Sequence, residues 1–249
     1  MEALADPNCG WFYRRDADTF KQIPGSPIAY WVSEAMLSAF GRNSELGNIA
    51  TARDGIHTCN NNSFLRLWWE VDLAKSSLPP INPVDTNSTW FAYNKGGNYR
   101  KWCGNNEYVI DWKNNGERLR SAPNAHGFNG EYAFQSAISW SSISSGKPAF
   151  RFKPNGYMFD AAGYSMFAEP NCMKLICGFS NSSVAEAMLS FLSPMLNYQA
   201  GDIISMPLLK PKNDLANSID WLVGKTCAQS QLDWDSFENS WSFSRHPLI

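Results

Sequence analysis

A mixed α+β fold, with short strands and flanking helices, is what three features of this 249-residue sequence predict. Short aromatic and apolar runs recur between Gly, Asn and Pro clusters, as strands bounded by turns do. Other stretches repeat apolar residues at helical spacing, in 28–40, 184–192 and about 214–225. The composition, 44% hydrophobic and 14% aromatic, excludes a disordered chain and supports a sizeable core.

In chain order, 1–24 reads as a polar lead-in with scattered aromatics, ended by Ile23-Pro24-Gly25-Ser26-Pro27. Ser26 followed by Pro27 is a cap and first-turn pair, predicting a helix to Phe40 that Gly41 stops and that packs on a sheet. A strand near 49–53 follows, then a loop through Asn60, Asn61 and Asn62, and a strand over 64–71. The proline-rich connector 78–88 leads into a hairpin, with strands at 90–93 and 108–112 around the Gly96-Gly97 turn. A second turn covers 113–117, and a loop carrying His126 covers 123–131. Strands are expected over 132–140, 157–160 and 163–167. In Phe150-Arg151-Phe152-Lys153 strict alternation sends aromatics to one face and cations to an exposed other face. Residues 174–179 read as a short buried strand. A helix capped by Asn181 or Ser182 runs through 196 with Pro194 at its end. Residues 201–207 return as a strand, and an amphipathic helix from about 214 precedes an aromatic, acidic tail. The division expected is a lead-in over 1–24, a main domain over 25–210, and a C-terminal helix and tail over 211–249 packed on it.

The net charge is −2, but it is unevenly placed. Between residues 95 and 153 nine Lys and Arg stand against four acids, a surplus of five positive charges in an otherwise acidic chain. A localised phosphate-facing surface needs that distribution, and a nonspecific coating protein does not. The six cysteines are scattered and no signal peptide leads the chain, so they are expected as reduced thiols in a cytoplasmic protein. Without a CxxC or clustered histidines no metal is expected, and no apolar run is long enough to span a membrane. No GxGxxG, Walker loop, GxSxG or HExxH is present, so no catalytic residues are assigned. Asn82-Pro83 is not an Asn-Pro-Pro-Tyr motif, since Val84 and Asp85 replace its last two residues.

Several stretches carry a resemblance. Residues 23–33, 55–65, Trp90-Phe91-Ala92-Tyr93-Asn94-Lys95-Gly96-Gly97 and Tyr99-Arg100-Lys101-Trp102 resemble the C-terminal half of the PglX family. So do Ile138-Ser139-Trp140-Ser141, Phe159-Asp160 and Leu196-Asn197-Tyr198-Gln199-Ala200-Gly201-Asp202-Ile203, with the closing Asp233-Trp234-Asp235-Ser236 and Ser240-Trp241-Ser242-Phe243. PglX proteins are the adenine-specific (N6) DNA methyltransferases of BREX phage-defence systems. The resemblance implies a duplex-DNA target recognition domain over 25–210, with curved, largely antiparallel sheets, whose partner is a catalytic methyltransferase domain of the same protein. S-adenosylmethionine would be bound in that separate domain, so no cofactor and no methyl transfer are expected of this chain alone.

On that reading Lys95, Arg100, Lys101, Lys147, Arg151 and Lys153 neutralise phosphates and fix register. Arg53, Asn60, Asn61, Asn62, Asn98 and Tyr99 are the candidates for base edges. Two other classes remain open. A scaffold lobe would touch other BREX components or a phage DNA-mimic protein. A carbohydrate-binding module would use the Trp-rich, Asn- and Gly-rich loops but leaves the basic middle without a role.

Overall fold

The computed structural model describes residues 15–249 except 81–84, 86, 145 and 210, together with residues 6, 8, 9 and 13. Much of the 1–24 lead-in, and Asn82-Pro83, therefore lie outside the described residues. A short helix, α1 (Ala17–Phe20), is capped by the Asp16 carboxylate. The chain then turns through Gly25 and Ser26, with φ of 77° and 49°. A residue at positive φ cannot take the extended N-cap conformation, so the helix expected from Ser26 does not start there. α2 (Glu34–Arg42) begins at Ser33, whose hydroxyl accepts from the Met36 amide, and Ile28 and Trp31 stay exposed.

β1 (Ala50–Arg53) is followed by α3 (Asn61–Phe64), capped by the Asn60 side chain. The strand expected over 64–71 is only β2 (Leu65–Leu67), because a 3₁₀ turn takes Trp68–Glu70. β3 (Ser76–Ser77), β4 (Trp90–Asn94) and β5 (Tyr108–Asp111) come next. α4 (Lys113–Arg120) opens with Asn114, Asn115 and Gly116 at left-handed φ, so the expected turn becomes the first part of a helical segment. β6 (Ala137–Ser139), β7 (Arg151–Lys153), β8 (Met158–Phe159) and β9 (Ser165–Ala168) complete the strands.

The rest is helical: α5 (Met173–Ser180), α6 (Ser183–Leu192), α7 (Ala200–Ile204) and α8 (Asn213–Trp234). Two expected strands are thereby corrected. In α5 the buried residues are Met173, Ile176, Cys177 and Ser180, which is helical spacing and not alternation. In α7 the Asp202 carboxylate reaches back to the Gln199 amide at 3.3 Å, closing a capping arrangement. Among the described residues no single helix is long and apolar enough to cross a membrane.

The strands form two sheets. One is antiparallel throughout, in the order β1-β9-β6-β7. The other runs β2-β5-β4-β3, with β4 and β5 as the antiparallel hairpin that the sequence predicts. β3 and β8 pair in parallel with successive parts of β4, at Trp90–Phe91 and Tyr93–Asn94 respectively. Helical residues Leu37, Ile176, Met188, Leu189, Ile203 and Val223 cover the first sheet, packing with Ile138, Trp140, Phe150 and Met166. A second core gathers Phe64, Phe91, Tyr93, Ile110, Trp112 and Leu119 around the hairpin. Asn94 links the two sheets. Its buried amide donates to Ser139 Oγ at 2.7 Å and to the Gly163 carbonyl at 2.9 Å.

Candidate nucleic-acid interface

The segment between β4 and β5 carries Lys95, Asn98, Tyr99, Arg100 and Lys101. It is bound down on the first sheet. The Trp102 amide donates to the Phe150 carbonyl at 2.8 Å, and the Phe152 amide donates back to the Trp102 carbonyl at 2.7 Å. Gly96 lies so close to the chain beneath that a Cβ there would sit 2.8 Å from the Ala162 carbonyl oxygen. Backbone that approaches this closely has to satisfy its carbonyls internally, and cationic side chains do much of that.

Lys153 is buried, and its Nζ donates to the carbonyls of Gly104 (2.8 Å) and Asn105 (3.1 Å) and to Asn106 Oδ1. Arg151 is also buried, donating to the Arg100 carbonyl and to Ser141 Oγ, each at 3.2 Å. Burial pushes the Arg151 guanidinium down to about 10. Burial, and then Arg151 beside it, hold Lys153 well below the usual lysine range. The exposed cationic face expected on β7 is thus corrected. The strand alternates as read, but its cation-bearing side is the interior one, where two charges hold the backbone of 100–106.

The other four expected phosphate contacts also have partners within the chain. Lys95 pairs with Asp160 at 2.8 Å, and that carboxylate also accepts from Tyr93 OH. Arg100 pairs with Asp233 at 2.5 Å and lies over the Trp234 ring. Lys101 donates to the Asn181 carbonyl at 2.9 Å. Lys147 meets Glu186 at 2.7 Å, though it remains largely exposed. Asn98 and Tyr99 are exposed at the tip of the segment. Arg53 is exposed on β1 over the Tyr132 ring, beside a cavity of about 380 Å³ that Asp54 and Glu131 also line.

Asn60, Asn61 and Asn62 lie elsewhere, exposed around the start of α3. Asn60 Oδ1 accepts from the Ser63 amide at 3.2 Å and Asn61 Oδ1 from Thr58 Oγ1 at 2.5 Å, so the loop conformation is fixed. Two arginines not assigned from the sequence, Arg66 and Arg118, border it, and a third, Arg120, lies further along α4. Arg66 donates to the Asn62 carbonyl at 2.6 Å and lies 5.9 Å from the Trp90 ring centroid. Arg118 donates to the Ser63 carbonyl at 3.2 Å, covers the Phe64 ring and pairs with Asp111 at 2.7 Å. Arg120 lies over both Trp112 and Phe128, at 5.0 and 4.8 Å. Guanidiniums held against aromatic faces are pre-oriented and keep N–H donors free for an anion. Lys113, Arg118 and Arg120 are exposed on α4, so this is where much of the basic surplus reaches solvent. The charge count included α4, but nothing in the sequence placed it beside Asn60–Asn62.

The chain is 40% identical, over its full length, to the adenine-specific methyltransferase PglX of Lacticaseibacillus casei (strain Zhang). It is 36% identical, over 92% of its length, to the adenine-specific methyltransferase BrxX of Escherichia coli O9:H4 (strain HS). It spans 21% and 18% of those two proteins, about a fifth of each. No protein-family model matches the chain. The resemblance carried by the separate motifs therefore extends across the whole chain, consistent with a C-terminal region of such methyltransferases.

Proposed function

From this kinship with adenine-specific methyltransferases, we propose that the chain is the DNA target-recognition region of an enzyme of that kind. Its duplex-facing surface is centred on Asn60, Asn61, Asn62, Arg66, Lys113, Arg118 and Arg120. The observation that carries the assignment is the contrast between two sets of cations. Arg151 and Lys153 are consumed in the interior, whereas Lys113, Arg118 and Arg120 are exposed next to exposed asparagine amides. Phosphate contacts from α4 would fix register, and the asparagines would offer the paired donor and acceptor that suit adenine in the major groove. Asn98, Tyr99 and Arg53 are secondary contacts in this scheme, reached from other parts of the surface.

S-adenosylmethionine would supply the methyl group in such an enzyme, and the Gly96-Gly97 turn does not fit it. Gly96 and Gly97 press against the Ala162 carbonyl and the Asn105 amide, leaving no open cradle, and the nearby Asp160 already meets Lys95 and Tyr93. In this reading a catalytic domain outside this chain holds the methyl donor and the adenine-accepting pocket, and the role here is to position DNA for it. Fluorescence anisotropy with a labelled duplex across a salt series tests the reading. Binding that weakens steeply with salt, and that R118E/R120E reduces, supports it. Salt-independent binding, or none by a folded protein, would sink it.

A further inference from the structure

The helices that cover the first sheet leave an apolar groove between them. It holds about 750 Å³ and lies between α5, α6, α8 and the stretch that leads into α8. Met188, Leu208 and Val223 line it from the buried core. Val184, Leu209, Leu215 and Leu222 line it too, each with about half or more of its surface exposed. Lys212 is the one charged residue of that wall among the described residues. The helices cannot close the gap by moving together, because a Cβ at Gly178 would already lie 2.8 Å from the Val223 side chain.

Exposed aliphatic side chains around an apolar hollow mark a surface that another apolar surface covers, and the centres of interfaces are depleted of charge. The duplex is not that partner, since a single lysine cannot neutralise a row of phosphates. The surface centred on Asn60–Asn62 and α4 is also built on the other core, with Arg118 over Phe64 and Arg120 over Trp112. Met188, Leu208 and Val223 belong to the first core, so both surfaces can be occupied at once.

The early part of the chain indicates what covers the groove. Phe40 of α2 packs against Phe191 of α6, with ring centroids 5.8 Å apart. Just after α2, the Leu46 amide donates to the Met206 carbonyl at 2.8 Å, and the Leu208 amide donates to the Ser44 carbonyl at 3.0 Å. Residues 44–46 are thus tied to the stretch that supplies Leu208 to the groove. In the relatives the match is to a C-terminal region, and about four-fifths of each protein lies outside it. The early residues that lead back toward that remainder therefore sit beside the groove.

We propose that the groove between α5, α6 and α8 receives an apolar surface of the part of the methyltransferase that precedes this region, holding the recognition region against the catalytic one. The proposal rests on the reading of the chain as a region of a PglX-type enzyme. Interfaces between domains of one polypeptide bury about 600–1,500 Å², and the groove supplies the apolar centre of such a contact.

The test compares backbone hydrogen exchange in this chain alone with that in a hybrid, in which it replaces its counterpart in the Lacticaseibacillus casei PglX. In the hybrid, peptides over 184–192 and 207–223 should exchange about tenfold more slowly, while those over 113–120 stay unchanged. L215D/L222D, at exposed positions, should leave the melting temperature of the chain alone as it is and abolish the added protection. Equal exchange at the groove in both proteins would overturn the proposal. So would a chain that is dimeric by light scattering and whose groove peptides are already protected. Exchange is measured without DNA, so the protection stands even where DNA recognition fails, and a methylation motif that transfers without protection sinks the docking alone. The wild-type comparison decides the question even if L215D/L222D does not fold.

Discussion

Replacing Lys153 separates an interior anchor from a phosphate contact. Its ammonium donates to two carbonyls and one side-chain amide, all in the 104–106 stretch. Charged hydrogen bonds contribute about 1.5–3 kcal/mol each, and a buried acceptor left unsatisfied costs about 1–3 kcal/mol. Against this, removing a buried ammonium recovers a desolvation cost of several kcal/mol. The balance for K153A, with its added cavity, is a loss of about 3 kcal/mol, roughly a hundredfold in the folding equilibrium. K153M keeps most of the volume and should lose about 2 kcal/mol. Urea unfolding followed by Trp fluorescence measures both.

The pH dependence adds a sign. Lys153 is lowered in the folded state, so between that value and the ordinary lysine range the unfolded chain binds more protons. Stability contributed by this group therefore rises with pH across that window and is lost as pH falls through it. K153M lacks the titrating group, so the gap between wild type and K153M should shift in favour of wild type as pH is raised from the lowered folded-state value of Lys153 toward 10.5, the ordinary lysine value. If K153A and K153M match wild type within about 0.5 kcal/mol and show the same pH slope, the interior-anchor account fails.

Three further outcomes are expected. R118E/R120E should weaken duplex binding by one to two orders of magnitude at low salt and flatten the logarithmic salt slope by about 2, with unchanged circular dichroism; a preserved slope would remove α4 from the interface. N181A should lose about 2–3 kcal/mol in urea unfolding, because the buried Asn181 side chain accepts from the Phe150 amide at 3.1 Å and donates to the Phe150 and Cys177 carbonyls at 2.9 and 3.1 Å; loss under about 0.5 kcal/mol would contradict the contacts. G55A should fail to fold or lose several kcal/mol, since the added Cβ would lie 2.1 Å from the Phe159 carbonyl oxygen; a thermal melt matching wild type would exclude that packing.

How far the sequence was legible depends on which physical signal each segment carried. The β4–β5 hairpin was readable because aromatic strands flank a glycine pair. α6 was readable at its start because Asn181 and Ser182 both offered a cap, and it is the Ser182 hydroxyl that accepts from the Ala185 amide. α5 and α7 were misread as strands, since a short apolar run has no period long enough to separate two from 3.6. Alternation in 150–153 identified a strand, but period two defines two faces without saying which one meets water. That ambiguity moved Arg151 and Lys153 from an imagined surface to the interior. Arg66 and Arg118 were not assigned to the Asn60–Asn62 loop because their approach to it depends on the β2–β5 pairing and on α4 folding back over Phe64. Local spacing carries no record of either.

The most direct test of the recognition role is an exchange. This region would replace its counterpart in an active PglX-type methyltransferase with a different methylation site, and modified adenines would be mapped by sequencing. The account predicts that the methylated motif follows the transplanted region and that substituting Asn60, Asn61 and Asn62 alters or abolishes it. A motif that stays with the recipient's catalytic part, in an enzyme that still methylates, would contradict it.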